Sequence, residues 1–108
     1  MKEYFLGLPE SEVGTSRERR IDIAREDIKI IQDFDRSIRK SGGKVNDLKT
    51  VPEVVAFATL GLCRVMGSRE VREGLSRKTL KTSKRLIETY SPKASATISE
   101  VLKTKNKE

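Results

Sequence analysis

Between residues 54 and 63 the chain reads Val-Val-Ala-Phe-Ala-Thr-Leu-Gly-Leu-Cys, ten side chains without a charge in a protein where 36% of residues are charged. That run falls well short of the roughly 20 apolar residues needed to cross a bilayer. Valine and phenylalanine favour strands, but the run shows no period-two alternation and no second strand to pair with, so it reads as helix. On a helix, Val54, Val55, Phe57, Leu60, Leu62, Val65 and Met66 cover nearly every side, and a helix apolar all round is normally enclosed. The expectation is therefore a central helix packed against all the others, one that a charge at Leu60 would unfold. Thr50-Val51-Pro52-Glu53 has the pattern of a capping box at its start, with proline where amides lack intrahelical partners anyway. Ala58 and Gly61, three residues apart, would let a neighbouring helix approach closely.

Other segments supply helices to pack on it. Thr15-Ser16-Arg17-Glu18 is a second capping box, after which Ile21, Ala24, Ile28, Ile31, Phe34 and Ile38 recur at helical spacing. Ser41-Gly42-Gly43 ends this helix near Lys40, because glycine accepts turn conformations closed to other residues. Ser68 is a good N-cap for a third helical region reaching Tyr90, with a break at Gly74-Leu75-Ser76. Ser91-Pro92 reads as an N-cap and first helical position, opening a last helix with Ala94, Ile98, Val101 and Leu102 on one stripe. Short connections between these segments predict an all-α fold, a compact bundle of about four helices around the central apolar one.

At 108 residues one such core suffices, so residues 1–108 read as a single domain, with a flexible segment over about 1–14 and a frayed tail over about 103–108. The cluster Tyr4-Phe5-Leu6-Gly7-Leu8-Pro9 is too short for a secretory signal; it folds back to cap the bundle or docks a partner protein. Cys63 has no second cysteine to pair with, and apolar neighbours make it a buried thiol of a reducing compartment. A cytoplasmic protein with no membrane association is expected.

The net charge is +7, and its location says more than its size. Residues 1–67 are nearly balanced, whereas residues 68–92 hold seven basic against three acidic side chains and residues 93–108 four against two. At about 100° per residue, Leu75, Leu80, Leu86, Ile87 and Tyr90 fall within an arc of roughly 140°, and Arg77, Lys78, Lys81, Lys84 and Arg85 within roughly 120° on the other side. Only Glu88 interrupts the basic sector. Like charges one turn apart repel by a few tenths of a kcal/mol, which a polyanion relieves. Phosphates suit such a face, since each one neutralised releases condensed counterions. Ser76, Thr79, Thr82 and Ser83 flank it with hydroxyls for backbone contacts. Arg69, Arg72 and Lys93 extend the basic surface at its ends.

This composition favours binding over catalysis. Histidine is absent, which removes the commonest general base and zinc ligand, and a single cysteine builds no thiolate site. Asp22 and Glu26 sit one turn apart, but Arg25 and Lys29 stand three residues after them as ordinary partners. Gly42-Gly43-Lys44 lacks the spacing of a phosphate loop. No metal, cofactor or enzymatic activity is expected. A helix-turn-helix is disfavoured because Glu73 falls where that unit wants an inward apolar residue, and five aromatics without tryptophan make a poor base-stacking platform. Two functions remain. The first is a non-enzymatic protein gripping the phosphate backbone of nucleic acid through Arg69, Arg72, Arg77, Lys78, Lys81, Lys84, Arg85 and Lys93. The second is a helical adaptor or regulatory subunit that binds an acidic protein surface or a second copy of itself in a homodimer. An ordinary solvated surface explains the same charges without any partner.

Overall fold

The computed structural model describes residues 3–4, 8–9 and 17–107, with side chains from 17 to 105. Among the described residues, four helices make the fold: α1 (Arg17–Lys40), α2 (Glu53–Met66), α3 (Arg69–Glu73) and α4 (Arg77–Lys107), with a 3-10 turn at Val45–Asp47 between α1 and α2. The backbones of β1 (Glu3–Tyr4) and β2 (Leu8–Pro9) pair antiparallel, Glu3 opposite Pro9 and Tyr4 opposite Leu8. Two residues per strand leave the architecture an all-α bundle. The expectations for the first capping box at Thr15 and for a capping or docking role of residues 4–9 lie outside the described side chains.

Helix α1 ends as its sequence predicts. Gly42 takes a φ of 84°, the Gly43 amide donates to the Ile38 carbonyl and the Gly42 amide to that of Arg39, both at 3.1 Å. These two bonds form a Schellman motif, which satisfies carbonyls that the last turn leaves open. Ile21, Ala24, Ile28 and Ile31 are buried on the inner face. At the other end Arg17 donates to the Glu70 carbonyl at 3.3 Å and Arg20 pairs with the Glu70 carboxylate at 3.7 Å. A Cβ on Gly74 would collide with Ile21, so the α3–α4 junction lies close against α1.

The second capping box does not form. Pro52 itself is the N-cap of α2, with no side-chain cap bond. Thr97 of α4 holds this entry instead: its hydroxyl accepts from the Val51 amide at 3.0 Å and donates to the Val51 carbonyl at 2.7 Å. Both atoms of one buried residue are thus satisfied from across the bundle.

Helix α2 packs along both α1 and α4 but is not enclosed. Val55, Ala56, Ala58, Thr59 and Leu62 are buried, while Val54, Phe57 and Leu60 remain 60%, 55% and 40% exposed. The reason is dimensional. The molecule measures 42 × 41 × 18 Å, and a slab that thin holds about two layers of helices at 10–12 Å each. A helix in such a slab has flanks to bury and one face left in solvent. Gly61 does serve close approach, since a Cβ there would stand 2.7 Å from Oδ2 of Asp27 on α1. Cys63 is half-buried rather than enclosed, and burial pushes its thiol above the ordinary range.

Ser68 caps α3, accepting from the Val71 amide at 3.5 Å, and the expected break separates α3 from α4. The expected start at Ser91-Pro92 is absent: α4 runs through Pro92 without interruption. An interior proline costs about 3 kcal/mol, because it removes a backbone donor and crowds the preceding turn. Leu86 and Tyr90 before it and Ala94 and Thr97 after it are all buried. Each large buried side chain contributes about 1.5–3 kcal/mol, enough to hold both halves in line. Among the described residues, no helix is long and apolar enough to cross a membrane.

Candidate nucleic-acid interface

Helix α4 begins at a polar cap. The Ser76 hydroxyl accepts from the Thr79 amide at 3.1 Å and bonds the Thr79 hydroxyl at 2.9 Å, and the Leu80 amide donates to the Ser76 carbonyl. This fixes the phase of the helix. Leu75, Leu86 and Tyr90 become buried and Leu80 and Ile87 half-buried, while Arg77, Lys78, Lys81, Lys84 and Arg85 are all exposed. Arg77, Lys81 and Lys84 run along the crest; Lys78 and Arg85 form a second row about 60–100° round the helix. Seven residues at 1.5 Å each separate Arg77 from Lys84 by about 10.5 Å, a reach of about three phosphates at 3.4 Å per strand.

Hydroxyls contribute less than their spacing promises. Ser83 is buried and donates to the Thr79 carbonyl at 2.9 Å. Ser76 and Thr79 are engaged in the cap, so of the four flanking hydroxyls only that of half-buried Thr82 lies outside these bonds.

The remaining basic residues divide into those the fold brings to the ridge and one it does not. Arg69 and Arg72 line a shallow recess of about 540 Å³ with Glu73, Leu75, Arg77 and Leu80. Arg72 also meets Lys84 in a second recess of about 460 Å³ with Met66, Leu80, Ile87 and Glu88. Both arginines have structural duties, since Arg72 donates to the Met66 carbonyl at 2.7 Å, closing the C-terminus of α2, and Arg69 pairs with Glu73 at 3.1 Å. Their exposed guanidiniums still add positive potential beside Arg77. Lys93 is half-buried and stands about 120° round α4 from the middle of the ridge, so it does not continue the row of the others. With five residues, α3 is too short to serve as a recognition helix, and Glu73 is exposed.

Sequence spacing missed two cations. Arg85 faces a cleft of about 400 Å³ whose other walls are Asp35, Arg39, Gly43, Lys44, Val45, Asn46 and Thr89. Arg39 and Lys44 reach it because the Schellman turn folds the end of α1 beside α4. Asp35, 8% exposed, accepts the Tyr90 hydroxyl at 2.7 Å on one oxygen and pairs with Arg39 at 3.2 Å on the other. Tyr90 also meets Phe34 edge-on, with ring centroids 6.1 Å apart. Burial, then the bond to Asp35, then the charge of Asp35 push the Tyr90 phenol far above its ordinary range, against the opposing charges of Arg39 and Arg85. Asp35 thus balances Arg39, and the cleft keeps the positive charges of Lys44 and Arg85.

Among the described residues, no group of three acidic or cysteine side chains is arranged to hold a metal ion. No family of known proteins, no curated protein and no solved structure matches this chain.

Proposed function

We propose that this protein binds the phosphate backbone of nucleic acid through the exposed face of α4, without catalysing a reaction. The observation that carries the reading is the separation on one helix of five exposed cations, Arg77, Lys78, Lys81, Lys84 and Arg85, from the buried Leu86 and Tyr90. Arg69 and Arg72 flank one edge of this ridge, and Arg39 and Lys44 flank the other through the Arg85 cleft. The face is built mainly of lysine and arginine, with Asn46 of the Arg85 cleft as a side-chain amide beside it, which suits phosphates more than base edges, so sequence preference is weak. Few acids dilute the face, Glu88 being the one within it. A lone thiol suits the reducing conditions of the cytoplasm, where such a protein would act.

Fluorescence anisotropy with a labelled 20-nucleotide duplex and single strand at 50 mM salt tests this. Binding is expected for both, with Lys81→Glu/Lys84→Glu weakening it at least tenfold at unchanged helicity. No binding at 50 mM salt overturns the proposal. The adaptor reading shares the same basic face. Polyglutamate bound as tightly as the oligonucleotide at equal charge would favour an acidic protein partner.

A further inference from the structure

Helix α2 leaves an apolar face in solvent that the chain's own core does not use. Glu53, Phe57, Leu60 and Arg64 are all exposed, and at about 100° per residue they fall within an arc of about 60°. Their steps of four, three and four residues are those of an a/d coiled-coil seam. Val54, 60% exposed, widens the seam on one side. In chain order the seam reads acid, aromatic, aliphatic, base.

That order is self-complementary in one direction only. A two-fold axis crossing α2 between residues 58 and 59 sets Phe57 against Leu60 of the partner subunit, Leu60 against the partner's Phe57, and Glu53 against the partner's Arg64 at each end. A parallel arrangement would set acid on acid and base on base. We propose that α2 docks antiparallel against α2 of a second copy of this chain, forming an isologous two-fold dimer. Antiparallel helices also oppose their dipoles favourably. Arg64 can keep its contacts within its own chain, since a guanidinium carries five donors.

The interface is small. Two helices of 14 residues share a seam only about 20 Å long, and one helix face of that length buries less than the roughly 800 Å² per partner of a standard complex. Dimerisation is therefore weak, with a Kd on the order of 10–100 µM, and it is measured at 150 mM salt, where the mutual repulsion of two +7 chains is screened beyond about 8 Å.

Sedimentation velocity from 5 µM to 1 mM tests the proposal. The weight-average mass is expected to rise from 12.2 kDa toward twice that value. Phe57→Glu is expected to stay monomeric throughout. Glu53→Arg and Arg64→Glu should each raise Kd about tenfold, and the double variant Glu53→Arg/Arg64→Glu should restore it to within about threefold of the original, with helicity checked by circular dichroism. A wild-type chain monomeric at 1 mM overturns the dimer, and so does undiminished association of folded Phe57→Glu. A double variant as weak as the two singles overturns the antiparallel register. Nucleic-acid binding uses another surface, so each proposal stands or fails by its own experiment.

Discussion

Asp27→Asn should stabilise the protein at neutral pH and leave it unchanged in acid. Asp27 lies half-buried on α1 beside Gly61, where desolvation, and secondarily the neighbouring charge of Glu26, raise its carboxyl from 3.8 to about 6. The unfolded chain releases this proton near pH 4 and the folded chain near pH 6, so between those values the folded state binds more protons. Stability from this group is complete below about pH 4 and is lost as pH rises through 6. At 1.36 kcal/mol per pH unit the full difference is about 3 kcal/mol, and solvent screening at a half-exposed carboxylate reduces it to about 1–2 kcal/mol. Asparagine keeps the shape and never ionises. Urea unfolding at pH 3.5 and 7.5 should therefore give equal stabilities at the lower pH, with the variant ahead by about 1–2 kcal/mol at the higher one. Equal stabilities at both values, or a variant weaker at pH 7.5, would refute the desolvation argument.

Further outcomes follow from burial and hydrogen bonding. Leu62 is fully buried whereas Leu60 is 40% exposed, so Leu62→Ala should cost about 2–5 kcal/mol by chemical denaturation and Leu60→Ala less than about 1 kcal/mol. A charge at Leu60 should be tolerated by the monomer, and thermal melts of Leu60→Lys check this. Tyr90→Phe leaves the ring and its contact with Phe34 but removes the donor to Asp35; a hydrogen bond to a charged group contributes about 1.5–3 kcal/mol, measurable in the same titrations. Thr97→Val strips the Val51 amide and carbonyl of their partner and should cost about 1–3 kcal/mol.

Much of this fold is legible in single residues. Ser41-Gly42-Gly43 ends α1 through local backbone chemistry, and Ser68 caps α3 for the same reason. The amphipathic division of α4 follows from spacing alone, and burial of Leu86 and Tyr90 agrees with it. Features decided by distant parts of the chain were not legible. Nothing near Pro92 announces that burial of Leu86, Tyr90, Ala94 and Thr97 will carry a helix past it. The apolar character of α2 predicts enclosure, but a slab 18 Å thick cannot supply neighbours on every side, and this leaves Phe57 and Leu60 exposed. The candidate interface divides in the same way. The ridge on α4 is a local pattern, whereas Arg39 and Lys44 join the Arg85 cleft only because the end of α1 lies beside α4. Their clustering after Asp35, next to a glycine turn, was the available signal, and it acquires meaning only with the topology.

The salt dependence of binding measures the central claim most directly. If Arg77, Lys78, Lys81, Lys84 and Arg85 each neutralise a duplex phosphate, the logarithm of the binding constant should fall linearly with the logarithm of salt concentration, with a slope of about −4 to −5. Lys81→Glu/Lys84→Glu should make that slope shallower by about 2. An unaltered slope in the folded variant, or a wild-type affinity indifferent to salt, would contradict phosphate recognition by this face.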